Sequence, residues 1–301
     1  VDLYINYMIG ITKKMIFLRL NFTMIQNTRK YMSKIILKAS MVFIFILLLS
    51  VNVKSQTMEV GGMIGASYYL GELNPALPYN QTQLAYGGLV RYNLNPRWSF
   101  KFNYYRAKVQ GSDNTGGSVK DRNLDFKSDI NDFSLLAEFN FWEYYTGSKK
   151  NYFAPFLYAG LTYFTFKPVS FSGVELQSIG TEGQNVGFNG RSPYNQFSFA
   201  LAFGFGIKYS LSKRLALTFE WGMRKTLTDY IDDISTTYYL EGQNINPDIT
   251  DEILSDPTMS HDAFMQRGDE KINDWYNITG ITVTYKFDLK SNKRCNSTSW
   301  K

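Results

Sequence analysis

Between residues 197 and 211 every second side chain is large and apolar: Phe197, Phe199, Leu201, Phe203, Phe205, Ile207, Tyr209 and Leu211. The positions between them carry Ser198, Ala200, Ala202, Gly204, Gly206, Lys208 and Ser210. A period of two belongs to a β-strand, whose successive side chains leave opposite faces. After Ser212 and Lys213 the alternation resumes, with Leu215, Leu217, Phe219, Trp221 and Met223 against Ala216, Thr218, Glu220, Gly222 and Arg224. Two such runs joined by a short turn predict an antiparallel hairpin.

The second face decides where this hairpin lives. In a soluble sandwich it would meet water and be rich in Lys, Glu, Thr and Arg. Here it is mostly Gly, Ala and Ser, which suits a narrow, filled lumen, so the bulky face looks out into lipid. Each run is also longer than the roughly 9–11 residues a tilted strand needs to cross the hydrocarbon layer.

The same pattern predicts eight strands, near 57–69, 82–94, 97–109, 130–144, 152–166, 195–211, 214–227 and 274–288. In the second, Leu84, Tyr86, Val90 and Tyr92 oppose Ala85, Gly87, Leu89 and Arg91; in the third, Trp98, Phe100, Phe102 and Tyr104 oppose Arg97, Ser99, Lys101 and Asn103. The last sets Ile281, Val283, Tyr285 and Phe287 against Gly280, Thr282, Thr284 and Lys286. The fifth, YFAPFLYAGLTYFTF, has no clear phase, and its Pro155 marks a bulge or weak pairing. Connections are short at Asn95-Pro96, 146–150 and Ser212-Lys213, and long at 70–81, 110–129, 168–194 and 228–273. Short periplasmic turns and long outer loops are the habit of outer-membrane barrels. The expected fold is all-β, an eight-stranded antiparallel transmembrane β-barrel with both termini periplasmic, integral to a Gram-negative-type outer membrane and in contact with its lipid and lipopolysaccharide.

An eight-stranded barrel has room inside only for side chains. By phase Glu59, Glu138 and Glu220 point inward, as do Arg91, Lys101, Lys208, Arg224 and Lys286. Lone charges there are costly, so they are expected to pair across the lumen, as a structural network without conductance.

The ends of the chain change the charge argument. Residues 1–31 look like an upstream misannotated start or leader. Met32, Lys34 and Lys38, the apolar MVFIFILLL (41–49) and Val53-Lys54-Ser55 read as a signal peptide over 32–55, with the barrel at 56–288 and a periplasmic tail at 289–301. Residues 1–55 hold eight of the 32 basic residues and one of the 26 acidic ones, leaving 24 and 25 in the remainder. The basic balance of the whole chain therefore does not point to nucleic acid.

Chemistry has few places to reside. There is no phosphate-binding Gly loop, Cys/His metal cluster or nucleophile elbow, so neither enzyme activity nor a cofactor is expected. The one histidine, His261, lies in the last long connection with Asp229, Asp232, Asp233, Glu241, Asp248, Asp251, Glu252 and Asp256, and no Lys or Arg lies between 226 and 266. That run reads as a solvated face, with loose binding of divalent cations as an alternative. Cys295, the sole cysteine, stands in the tail KSNKRCNSTSWK; in an oxidising compartment it is either a free thiol or a bond to another chain.

Three segments carry a resemblance: VGGMIGASYYLGELNP (60–75), RKTLTDYIDDIS (224–235) and WYNITGITVTYKF (275–287). In this order, behind a signal peptide, they resemble the PorG-type outer-membrane proteins of the type IX secretion system of the Bacteroidota. The resemblance implies a small non-catalytic barrel associated with a periplasmic ring, built by a lipoprotein and its partner subunit, and required for export of cargo. It carries over Asp229, Tyr230, Asp232 and Asp233 as a motif without an assigned role. Cys295 would suit a covalent link to the ring lipoprotein. The fourteen residues after Phe287 depart from barrels that end on the last aromatic of the final strand.

Overall fold

A computed structural model describes residues 57–75, 77–115 and 119–288. The expected leader (1–31), the signal peptide (32–55), and the tail 289–301 with Cys295 lie outside the described residues. The strands are β1 (Thr57–Leu70), β2 (Gln83–Asn93), β3 (Trp98–Ser112), β4 (Asp125–Asn140), β5 (Phe153–Val169), β6 (Phe197–Ser210), β7 (Leu215–Thr226) and β8 (Trp275–Asp288). They follow chain order around one closed antiparallel barrel, and β8 pairs back onto β1 from Thr57↔Asp288 to Leu70↔Trp275. Closure satisfies every strand edge, the condition for a sheet to stand in hydrocarbon.

Alternation does what the sequence pattern predicts. Outward positions such as Ile64, Leu135 and Leu161 are 64, 61 and 62 % exposed, and Phe199, Phe203 and Phe205 share that face. An apolar surface of this extent around a whole wall is unstable in water and suits lipid. Among the described residues no helix is long and apolar enough to cross a membrane; the strands make the crossing.

β5 shows why its phase could not be read. Leu157, Leu161 and Tyr163 face out, but Phe156, Tyr158, Phe164 and Phe166 are buried in the lumen, so both faces are aromatic. Glycines across the wall make room for them. Phe156 lies opposite Gly206 and Tyr158 opposite Gly204, which in turn pairs with Gly222. A Cβ on Gly206 would stand 2.7 Å from the Phe156 ring, and one on Gly222 would collide with the Tyr158 hydroxyl. The glycine stripe of the hairpin is thus the complement of the β5 rings. The expected bulge at Pro155 is not there: Pro155 pairs in register with Ile207, and its carbonyl accepts the Phe141 N–H at 3.0 Å.

β4 begins and ends earlier than expected, at 125–140 instead of 130–144. After Asn140 the chain leaves the wall and folds beneath it. Tyr144 packs against Ala154 and Ala216, and the Gly147 N–H donates to Ser210 Oγ at 2.7 Å. Gly147 takes φ +95°, and a side chain there would strike the Lys213 carbonyl. This segment, 141–152, stoppers the short-turn end. Arg97, expected inside, is instead exposed in the preceding turn and donates to the Phe141 carbonyl at 2.7 Å.

At the opposite end the long connections fold inward. Leu73, Leu124, Leu176, Ile231 and Ile234 join the strand residues Tyr69, Phe126 and Tyr276 in one buried apolar cluster. The mouth is filled by side chains from four connections.

Candidate functional site

Six charges meet in the lumen toward the short-turn end. Arg91 is 1 % exposed and sits at the centre, its Nη1 2.8 Å from Glu59 Oε2, its Nε 2.8 Å from Glu138 Oε2 and its Nη2 3.4 Å from Glu220 Oε1. Lys101 reaches Glu220 at 2.5 Å and Glu138 at 3.3 Å, and Lys208 reaches Glu138 at 2.6 Å. Three carboxylates face three cations, contributed by six different strands. Both ammonium groups also lie over rings, Lys208 4.6 Å from the Phe156 centroid and Lys101 4.9 Å from that of Tyr158. Thr146 of the stopper donates to Glu59 Oε1 at 2.6 Å, while Lys286, at the rim, donates to the Thr146 carbonyl at 2.8 Å. The network and the stopper are therefore one hydrogen-bonded unit.

Arg224 belongs to a separate layer nearer the loop end. Its Nε is 3.0 Å from Asp132 Oδ2, and Asp132 also accepts from Asn103, Ser134 and Tyr276. Sequence reasoning passed over Asp132, although it shares the parity of Glu138 on β4, a signal that would have found it.

The motif residues Asp229, Tyr230, Asp232 and Asp233 follow β7 at the loop end. Contrary to the solvated face expected for this acidic run, Asp229, Asp232, Asp233 and Asp256 are buried, while Glu241, Asp248 and Asp251 are exposed. Ile231 and Ile234, interleaved with the acids, enter the apolar mouth and pull the segment inward. Asp233 has a left-handed backbone (φ 65°), a conformation Asp tolerates, and the two adjacent carboxylates find different partners. Asp233 accepts the Tyr194 hydroxyl at 2.6 Å and the Thr181 hydroxyl, and its carbonyl accepts Arg267 Nη1 at 2.6 Å. Burial lifts its carboxyl to about 6, against the pull of Arg267 and the two hydroxyls. Arg267 is also 3.1 Å from Glu182, whose carboxylate caps the Ser235 and Thr236 N–H groups. Tyr230 stacks on Tyr194 at 4.3 Å. Glu182 and Arg267, absent from the sequence-derived site, tie the connection 170–196 to 227–274.

Asp232 turns the other way. The Tyr69 hydroxyl stands 2.5 Å from Asp232 Oδ2 and 2.7 Å from Asp274 Oδ1. Glu72 completes a trio whose carboxylate oxygens lie within 4.8 Å of one another. Asp229 is 6 % exposed, and neither of its carboxylate oxygens has a hydrogen-bond partner; the Ser235 hydroxyl is nearby but outside bonding geometry. Burial first, then the charges of Glu72 and Asp232, pushes the Asp229 carboxyl up to about 9. Burial likewise raises Asp232, helped by Asp274, and raises Asp274, helped by Glu72 and Asp229. His261 lies away from this group, with Nδ1 3.0 Å from Asp256 Oδ1 and its ring stacked on Tyr238 at 4.3 Å.

A wall closed in register whose bulky side chains meet lipid defines the integral β-barrels of the outer membrane. Within that class the chain belongs to the family described as Domain of unknown function (DUF6089), whose model matches residues 38–297. Solved barrels are similar in outline. Ail of Yersinia pestis, in complex with the heparin analogue sucrose octasulfate, is 9 % identical with a TM-score of 0.40, over 77 % of this chain and 99 % of Ail. OprG of Pseudomonas aeruginosa is 14 % identical with a TM-score of 0.38, over 78 % and 97 %. Neisserial surface protein A is 10 % identical with a TM-score of 0.38, over 76 % and 97 %. No curated protein matches by sequence. The class rests on the register and the outer face, not on these likenesses.

Proposed function

We propose that this barrel is a non-catalytic anchor for a protein-export machine of the type IX kind, engaged from a periplasmic short-turn end. The partners in this reading are a ring lipoprotein and its companion subunit. The observation that carries it is the stoppered lumen: among the described residues, ion pairs, the β5 rings, the 141–152 segment and the side chains of the mouth fill it from end to end. A barrel that passes nothing acts through its faces. The resemblance of 60–75, 224–235 and 275–287 to PorG-type proteins supplies the kind of partner. Because the DYIDDIS motif is folded into the mouth, docking falls to the other end and to the tail with Cys295. Deleting 289–301 tests this. Loss of cargo secretion with a normally inserted barrel is expected; intact export would reject the anchor reading. A covalent link through Cys295 would appear as a reducible higher-mass band on non-reducing gels of native membranes.

One observation favours a second reading, a surface-interaction barrel. A cavity of about 750 Å³ opens at the loop end, lined by Leu70, Glu72, Val119, Arg122, Ile272 and Trp275 among others. An outer ligand held there would leave secretion untouched by the tail deletion.

A further inference from the structure

Glu72, Asp229, Asp232 and Asp274 come from three separate stretches of chain and converge at the loop-end rim. Among the described residues no Lys, Arg or His forms an ion pair with any of the four. The nearby Arg122 is committed to Asp113, which it grips at 2.8 and 3.1 Å. Part of the group's bonding capacity is used: Asp274 Oδ2 accepts the Ile231 N–H, Asp232 Oδ1 the Ile234 N–H and Glu72 Oε1 the Asp269 N–H. The remainder is not. Glu72 Oε2 and both oxygens of Asp229 are buried without a partner, and Asp229 stands within the field of Glu72, Asp232 and Asp274. A carboxylate more than nine-tenths buried, unpartnered and set among three others lacks a positive group.

We propose that Glu72, Asp229, Asp232 and Asp274, with the Tyr69 hydroxyl, form a binding site for a calcium ion. The donors are hard oxygens, as calcium requires, and one oxygen each from Glu72, Asp232 and Asp274 lies within 4.8 Å of the others, the width spanned by opposite ligands at about 2.4 Å from one ion, with Asp229 beside them. Magnesium, needing a tighter octahedron at about 2.0–2.1 Å, fits this spread less well. Gly71 keeps the position open: a Cβ there would collide with the Tyr69 hydroxyl and the Asp274 carboxylate. Entry is provided by Glu72, which is half-buried and also lines the loop-end cavity. The ion would clip the end of β1 to the start of β8 and to the DYIDDIS segment, closing the longest connection of the barrel. This site does not depend on the export reading.

The test uses the full chain folded in detergent micelles, with thermal unfolding followed in calcium, magnesium or chelator, and terbium luminescence sensitised by tyrosine excitation. Calcium at a hundredfold its Kd is expected to raise the midpoint by roughly 5–10 °C, magnesium by less. Terbium should luminesce and be displaced by calcium. Asp229→Asn and Glu72→Gln should each lose most of both responses while the barrel still folds, since neither removes a side-chain hydrogen bond on which the fold relies. An unfolding midpoint indifferent to calcium and chelator, with no terbium signal in the unaltered chain, would overturn the site and leave shared protons as what holds the four acids together. Retention of the full response in Asp229→Asn would equally overturn it.

Discussion

In the lumen, Glu59, Glu138 and Glu220 each have a cation within hydrogen-bond distance; at the loop end, Glu72, Asp229, Asp232 and Asp274 have none. Both groups are largely sheltered from water, with only Glu72 half-buried, so burial alone does not explain the contrast. The difference lies in how each is assembled. Lumen side chains are set by strand parity and register, so opposite charges can be matched between strands that cannot slip. The loop-end acids arrive on segments distant in sequence, held by backbone N–H groups and one phenol. An excess of one sign at a site so constructed marks a place that takes its counter-charge from solution.

Substitution should separate the two groups by size and by sign. The largest effect belongs to Arg91→Met, which leaves buried Glu59 without an ion-pair partner and takes one cation from each of Glu138 and Glu220; it should cost about 3–5 kcal/mol, read as a lower temperature for loss of the folded band on semi-native gels. Unchanged heat resistance, there or in the Glu138→Gln, Glu220→Gln double variant, would mean that the lumen pairs hold nothing. Asp229→Asn, measured in chelator above pH 9, should shift stability in the opposite direction by about 1 kcal/mol, because at that pH it deletes an unpartnered buried charge. A loss instead would erase the distinction.

Asp256 sharpens the comparison from the loop end, as a buried acid that is partnered. Burial works to raise its carboxyl, but the His261 N–H and imidazole and the Thr258 hydroxyl outweigh that and hold it below the ordinary carboxylate value. A group depressed in the folded state stabilises above its unfolded pKa and loses that contribution as pH falls through the folded one. Its contribution should therefore be intact at neutral pH and fade only below about pH 4. Comparing Asp256→Asn with the unaltered chain across acid pH should reveal a small difference confined to that window.

The strands were largely legible because lipid outside and small residues inside enforce a period of two, as in β3, β6, β7 and β8. β5 was not, since Phe156, Tyr158, Phe164 and Phe166 fill the lumen and both its faces look alike. The lumen charges could be placed by parity alone; their partners could not, because pairing depends on the stagger around the barrel. Asp132 shares the parity of Glu138 on β4 and faces the lumen for the same reason. The loop-end group was hidden for a different reason. Acid-rich stretches usually face water, and only Ile231 and Ile234 between the aspartates hinted that this one turns inward. That Glu72 and Asp274 join it is a long-range convergence no local pattern contains.

Thr57 stands opposite Asp288, so the wall begins and ends at neighbouring points on one rim. Tension that draws the two flanks apart would part the β1–β8 seam pair by pair, as a zip opens. Tension on a single flank runs along its strand and loads the whole row of pairs from Thr57 to Leu70 at once. The seam is therefore weakest against a force that separates its two flanks and strongest against one directed along a single strand.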